Sequence, residues 1–248
     1  MAKPSRRSGL HGVPVRPTED EALLETGHER PDALKHSDPW RVLRIMGEFV
    51  EGFDDLADVT DAVTIFGSAR TPVTDPMYAS AVEVGRLLGK EGFPVITGGG
   101  PGIMEAGNKG AKEGGTLSIG LNIELPFEQG LNAYVQRGIE FRYFFVRKTM
   151  FIKYSTAFVV FPGGFGTLDE TFEALTLIQT GKVKNFPVVM FGKAYWGGLC
   201  QWLRGTVAAE GKIAVKDLDL MLVTDDAQAC VQHIVAARGH RNETRRDG

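Results

Sequence analysis

Short apolar runs and longer amphipathic segments alternate along the chain. The runs at 62–67 and 186–192 are apolar almost throughout, whereas the segments 77–92 and 167–181 carry apolar residues at helical spacing. Strands of the first kind are typical of sheets covered on both faces, and their alternation with helices indicates right-handed parallel crossovers. The pattern predicts an α/β fold with a doubly wound parallel sheet and helices on both faces, in a single domain.

The remaining elements follow from the same spacing. Strands are predicted at 62–67, 93–100, 116–123, 156–164, 186–192 and 220–225. Helices are predicted from about residue 37, and then at 77–92, 102–115, 144–155, 167–181, 195–211 and 226–239. The first helix carries a stripe of apolar side chains, which predicts a core or subunit-interface face: Trp40, Leu43, Met46, Val50 and Phe53.

Both ends of the chain lack this periodicity. Residues 1–38 are polar, charged and proline-containing, and residues 238–248 form a polar basic tail. We therefore predict a flexible N-terminal arm over 1–38, the folded domain over 39–237 and a flexible tail over 238–248.

Three of the predicted strands end in glycine, at Gly67, Gly98 and Gly163. The carboxyl ends of parallel strands meet at one edge of the sheet, which is where α/β folds bind ligands. We therefore expect the residues of these loops to form a binding site.

Neither glycine loop, the one that begins at Gly98 nor PGGFGT at 162–167, fits a common nucleotide fingerprint. A dinucleotide-binding GxGxxG would need glycine where Asp169 stands, and a P-loop would need lysine where Asn108 follows Gly107. Glycine still lets the backbone approach a ligand, and a helix beginning at Thr167 would offer free N–H groups to an anion. A tight turn capped by Thr167 is the alternative, but two such loops at one sheet edge favour a phosphate site.

Acidic residues follow this loop at Asp169, Glu170 and Glu173. The helix dipole accounts for Asp169, whereas Glu170 and Glu173 share a helix face. A carboxylate beside a phosphate site needs a second purpose, such as bonding sugar hydroxyls or stabilising positive charge on a sugar, as in glycoside hydrolysis. The opposite charge is carried by Arg147 and Lys148, in an aromatic segment expected to be packed, where a buried arginine needs an anion.

Composition narrows the class of protein further. The chain has 248 residues, 43% of them hydrophobic and 24% charged, with a net charge of −3, which argues against a nucleic-acid-binding protein. The two cysteines fit reduced thiols, and neither a signal peptide nor a membrane-length apolar run is visible, so a cytoplasmic protein without a membrane partner is expected. No residues have metal-ligand spacing, so no metal is expected.

Taken together, three motifs resemble the Lonely Guy family, the cytokinin riboside 5′-monophosphate phosphoribohydrolases, which older descriptions call lysine decarboxylase-like. PGGFGTLDE at 162–170 matches that family's PGGxGTxxE signature, GGGPGIM at 98–104 resembles its other glycine motif, and the Arg147–Lys148 pair stands upstream as the family's pair does. The resemblance covers about residues 60–225. The shorter glycine motif, GGGPGIMEA, is similar to the longer bacterial branch.

The resemblance implies a Rossmann-like fold and hydrolysis of a nucleoside 5′-monophosphate to a free base and ribose 5-phosphate, in dimers or larger homo-oligomers. Arg147 and Glu170 match its catalytic pair. The other predicted site residues bind substrate, with Met104 near the base: Gly67, Ser68, Gly98, Gly99, Gly100, Met104, Glu128, Lys148, Gly163, Gly164, Phe165, Gly166, Thr167, Glu173 and Thr176.

The expected reaction is therefore N-glycosidic cleavage of a purine nucleoside monophosphate, without a cofactor. The alternative is a nucleotide-binding or carrier protein that uses the same pocket without turnover. A true lysine decarboxylase is disfavoured, because it would need pyridoxal phosphate on a lysine and no lysine lies in a recognisable cofactor motif. Which purine leaves is open from the sequence.

Overall fold

The structure, a computed structural model, describes residues 18–24, 38–125 and 130–246. Its strands are β1 (Ala62–Phe66), β2 (Val95–Thr97), β3 (Ser118–Ile123), β4 (Arg137–Phe141), β5 (Ser155–Val160), β6 (Val188–Phe191) and β7 (Met221–Thr224). They form one seven-stranded sheet in the order β4-β3-β2-β1-β5-β6-β7, and all neighbours pair in parallel. The predicted doubly wound α/β sheet is confirmed.

Eight α-helices surround the sheet in the described part of the chain. They are α1 (Glu19–Leu24), α2 (Asp38–Asp55), α3 (Pro76–Lys90), α4 (Ile103–Glu113), α5 (Phe144–Tyr154), α6 (Phe165–Gln179), α7 (Lys193–Trp202) and α8 (Ala227–Arg246). None of those described has both the length and the apolarity of a membrane span.

The core has two layers because successive strand residues point to opposite faces. Val63 and Ile65 of β1 pack with apolar residues of α3, α4 and α8, whereas Ala62 and Phe66 pack with residues of α5, α6 and α7. Helices therefore cover both faces of the sheet, as continuous apolar strands require.

Several local expectations differ from the structure. Strand β4 was not predicted, because this edge strand is only partly buried and carries Arg137 and Gly138 among its five residues. Helix α1 lies inside the segment expected to be a flexible arm, and α8 continues to Arg246, past the predicted end at Gly239.

Helix α2 is present as predicted, but its apolar stripe does not enter the core. Ile45 and Phe49 pack onto the core, whereas Leu43, Met46 and Val50 are more than half exposed in the single chain. An apolar face of this kind is typical of a contact surface. The homo-oligomer stays a prediction.

The start of α5 is capped by carboxylates that come from elsewhere in the chain. Glu48 of α2 accepts hydrogen bonds from the backbone N–H groups of Arg142 and Tyr143, at 3.0 and 3.1 Å. Asp20 of α1 accepts one from Phe144, at 3.1 Å. The first N–H groups of a helix have no partner within it, so these carboxylates fix the beginning of α5.

Replacement of Glu48 by alanine should therefore destabilise the fold. Glu48 is buried, and its loss leaves two backbone donors without an acceptor, so the free energy of unfolding should fall by about 1–3 kcal/mol in urea denaturation. Glu51→Ala, at an exposed position of the same helix, is the matched control and should change it by less than about 0.5 kcal/mol. Equal effects of the two changes would contradict the capping role.

Candidate active site

The chain changes direction on the sheet between β1 and β5. From β1 it runs outward through β2 to β4, and it then returns to form β5 on the other side of β1. The loops after these two strands are tied together, because Ser68 donates a backbone hydrogen bond to Pro162 at 3.0 Å and Phe161 donates one to Phe66 at 2.8 Å. Doubly wound sheets bind ligands in the crevice at such a switch point.

The first glycine loop follows β2 and is packed beneath Arg147 and Met104. A Cβ atom on Gly98 would lie 2.5 Å from Nη2 of Arg147 and 2.6 Å from Sδ of Met104, so only glycine allows both side chains this close. Three of the predicted site residues therefore meet at this loop.

A buried polar network holds this loop in place. Oγ1 of Thr97 accepts a hydrogen bond from the N–H of Gly99 at 2.9 Å, and Nδ2 of Asn132 donates to the carbonyls of Gly99 and Gly100 at 3.0 Å each. Asn132 in turn bonds to Oδ1 of the buried Asn108, at 2.9 Å. Asn132 was not predicted, because it stands in a loop without periodicity.

The second glycine loop leads into α6. This helix begins at Phe165, not at Thr167 as predicted, and Gly164 is its N-cap residue without a side-chain cap. Thr167 therefore lies inside the first turn, buried, with its hydroxyl against Gly163, where a Cβ atom would overlap it. The first N–H groups of α6 are thus not covered by a cap side chain.

Arg147 projects from α5 toward the glycine loop after β2. Its Nε donates to the carbonyl of Leu121 at 2.7 Å, and its guanidinium lies 5.1 Å from the centre of the Phe151 ring. Burial lowers the pKa of Arg147 to about 10, against the opposing effect of Glu170. The group stays positively charged at neutral pH.

Glu170 lies in the second turn of α6 and is 7% exposed. One of its oxygens, Oε2, is buried and has no hydrogen-bond partner among the described residues. Burial raises the pKa of Glu170 to about 7, although the charges of Arg147 and Lys148 oppose the shift. A carboxyl group with a pKa near neutrality is suited to both accepting and donating a proton.

Lys148 of α5 forms ion pairs with two carboxylates of α6. Its Nζ lies 3.0 Å from an oxygen of Asp169 and 3.0 Å from an oxygen of Glu173. Burial opposes a charged lysine, but these two carboxylates raise the pKa of Lys148 above its ordinary value. The ammonium group is therefore positively charged at neutral pH.

A cavity of about 530 Å³ opens beside Lys148 and Asp169. Apolar side chains supply much of its wall, including two from the N-terminal helix α1: Leu23, Leu24, Leu125, Phe144 and Phe145.

The remaining predicted residues have varied positions. Gly67 packs against Ile103. Phe165 is 92% exposed, and Thr176 donates to the carbonyl of Phe172 and lines a separate small cavity with Gln179. Glu128 lies outside the described residues. The structure thus groups Gly98, Met104 and Arg147, and the charge of Glu170 interacts with that of Arg147, whereas Thr176 lines a different cavity.

Tyr195 was missed by the sequence-based prediction. It stands in the first turn of α7, and its hydroxyl donates to the carbonyl of Gly163 at 2.8 Å. Its position just after β6, at the carboxyl edge of the sheet, could have identified it. Within the described segments, no three His, Cys, Asp or Glu side chains are grouped so that they could hold a metal ion.

A family model described as "Possible lysine decarboxylase" matches residues 104–234, more than half of the chain. That model corresponds to the Lonely Guy family, whose motifs frame the site described above. The chain belongs to the Lonely Guy family.

Named relatives of this family match most of the domain. A protein of Mycobacterium tuberculosis named cytokinin riboside 5′-monophosphate phosphoribohydrolase is 29% identical over 165 residues, which cover 64% of this chain and 86% of that protein. A rice relative (Oryza sativa subsp. japonica) named as a probable enzyme of the same kind is 26% identical over 169 residues, covering 66% and 72%.

Solved structures share the fold. A molybdenum cofactor binding protein of Rippkaea orientalis is 22% identical, with a TM-score of 0.51 over 72% of this chain and 96% of its own. The Moco carrier protein of Chlamydomonas reinhardtii is 24% identical, with a TM-score of 0.51 over 71% and 98%. At these identities the likeness concerns the fold alone.

The raised pKa of Glu170 predicts that this Lonely Guy family member becomes less stable as the pH rises toward neutrality. Because the pKa is about 7 in the folded protein against an ordinary 4.5, the folded state holds a proton that the unfolded chain releases. The proton held by Glu170 therefore favours the folded state fully below pH 4.5, and this contribution to stability is lost as the pH rises through about 7. Relative to Glu170→Gln, the wild type should lose on the order of 2 kcal/mol of unfolding free energy across this window.

Urea denaturation of both proteins at about pH 5 and about pH 8 measures this difference. Glu210→Gln, at an exposed position, is the control and should follow the wild type at both pH values. A gap between Glu170→Gln and the wild type that does not change with pH would show that Glu170 ionises normally.

Proposed function

We propose that this protein hydrolyses the N-glycosidic bond of a purine nucleoside 5′-monophosphate, giving the free base and ribose 5-phosphate. The observation that carries the proposal is Glu170. It is a buried carboxyl whose pKa lies near neutrality, whose Oε2 has no hydrogen-bond partner among the described residues, and whose charge interacts with that of Arg147. Groups perturbed in this way are concentrated at catalytic sites.

The phosphate is assigned to the start of α6. Gly164 leaves the first N–H groups of the helix without a side-chain cap, and the helix dipole adds partial positive charge there. Glu170 follows in the next turn of the same helix. A ribose whose 5′-phosphate binds this helix start would therefore present C1′ within reach of the carboxylate.

Arg147 faces the other loop. Its Nη2 lies against Gly98, in the loop after β2, and Met104 packs against the same glycine. Negative charge accumulates on the base as the C1′–N bond breaks. We assign Arg147 to that charge and Met104 to contact with the base.

Glu170 acts on the other side of the bond. Its carboxylate stabilises positive charge on the sugar and takes one proton from the water that attacks C1′, while the departing base takes up a proton from solvent at its ring nitrogen. One water is consumed for each bond broken. A pKa near 7 lets the carboxyl release the captured proton before the next turnover.

The names of the relatives support this reaction with a cytokinin-type purine as the base, and adenine is the alternative base. The family description "Possible lysine decarboxylase" has less support from the site. A lysine that forms a Schiff base must be neutral to attack, whereas Lys148 is held in its charged form by Asp169 and Glu173. We assign Lys148 to binding, in a cytoplasmic homo-oligomer whose contact surface includes the exposed face of α2.

The proposal predicts that Glu170→Gln and Arg147→Ala each remove most of the activity without unfolding the protein. Free base released from a panel of purine nucleoside monophosphates is the readout, and the loss should be about 100-fold or more. Glu210→Gln should match the wild type. A loss below about tenfold for Glu170→Gln would contradict its catalytic role, and binding without base release by the wild type would favour a nucleotide-binding or carrier function.

A second prediction concerns the phosphate. AMP should be cleaved with a kcat/KM about three orders of magnitude above that of adenosine, because adenosine forfeits two or three charge-assisted hydrogen bonds at the start of α6. Both constants can be measured side by side by quantifying free adenine. Comparable values would show that this helix start does not hold the phosphate.

A further inference from the structure

Tyr195 fastens the second glycine loop from a neighbouring element. Its hydroxyl donates to the carbonyl of Gly163 at 2.8 Å, and its ring packs edge-on against Trp196, with ring centres 4.8 Å apart. Trp196 is buried and donates through Nε1 to the carbonyls of Val160 and Phe191, at 3.2 and 3.1 Å. The start of α7 is therefore fixed to the ends of β5 and β6, and Tyr195 extends this support to the loop.

The hydrogen bond to Gly163 also sets the direction of an N–H group. The carbonyl of Gly163 and the N–H of Gly164 belong to one peptide plane, in which a trans peptide points them in opposite directions. A carbonyl held toward Tyr195 therefore directs the Gly164 N–H to the opposite side. Because glycine flanks this peptide on both sides, its backbone angles alone would restrict it little.

The Gly164 N–H is available to a ligand. Gly164 is the N-cap residue of α6, and its N–H has no hydrogen-bond partner within the described segments of the chain. In the proposed function, this is one of the donors at the phosphate position.

We propose that Tyr195 is a positioning residue for phosphate binding: by holding the Gly163 carbonyl, it keeps the Gly164 N–H aimed at the substrate phosphate. The proposal rests on the function proposed above. Helix α7 would then contribute to substrate binding through the second glycine loop. Tyr195 itself would not contact the phosphate.

The test compares Tyr195→Phe with Tyr154→Phe. The control removes the same kind of bond, since the hydroxyl of Tyr154 donates to the carbonyl of Phe53 at 3.2 Å, at the surface and outside the site. Tyr195→Phe should raise the KM for AMP and the inhibition constant of inorganic phosphate about tenfold, the effect of weakening one hydrogen bond to a charged group. The inhibition constant of free adenine, which carries no phosphate, should not change, and Tyr154→Phe should leave all three constants unchanged.

A direct readout comes from the ¹⁵N resonance of Gly164 during a titration with inorganic phosphate. The amide should shift in the wild type and in Tyr154→Phe, and it should shift less in Tyr195→Phe. If Tyr195→Phe does not fold, the wild-type titration decides, because an unresponsive Gly164 amide would overturn the proposal.

The two proposals fail in different ways. A wild-type enzyme that cleaves AMP and is inhibited by phosphate, together with unchanged constants in Tyr195→Phe, would overturn the role of Tyr195 alone. A parallel loss of adenine and phosphate affinity would also overturn it, since that result is the mark of general damage to the site. A wild-type protein that releases no base would instead contradict the proposed function.

Discussion

The burial of the Glu170 carboxyl is the constraint on which the rest of the site depends. An acid removed from water with one oxygen unpartnered is costly to ionise, and its pKa of about 7 expresses that cost. Two features lower the free-energy cost of ionising Glu170 at neutral pH. The positive charges of Arg147 and Lys148, both carried by α5, attract the carboxylate. The same two features would attract an anionic substrate. The charges that stabilise ionised Glu170 would therefore also favour substrate binding.

The residues that position Arg147 and Glu170 lie outside the crevice. Glu48 and Asp20 fix the beginning of α5, which carries Arg147, and Asn132 fixes the loop that Arg147 contacts. Strand β5 leads directly into the loop before Glu170. Charged groups must be held closely if they are to act on one bond, and rigid elements with their own hydrogen bonds provide this. Part of the support comes from α1, so the N-terminal segment contributes to the setting of the site.

The sequence predicted the sheet well because doubly covered strands are apolar throughout and the helices between them have clear periodicity. It failed where burial is partial, as at β4, and where a helix is short and held by distant partners, as at α1. Motif and charge identified Arg147 and Glu170. They could not identify Asn132 or Tyr195, since both act through hydrogen bonds to loop carbonyls that only the folded chain brings within reach. The start of α6 was misplaced by two residues because Gly164, not Thr167, ends the loop.

The most direct test of the central claim is the crystal structure of the Glu170→Gln variant with AMP bound, since a slow variant would retain the intact substrate. We expect the phosphate at the N–H groups that begin α6, C1′ facing the side chain of residue 170 and the base beside Met104 and Arg147. A phosphate bound elsewhere, or an AMP molecule turned so that the base occupies the start of α6, would contradict it.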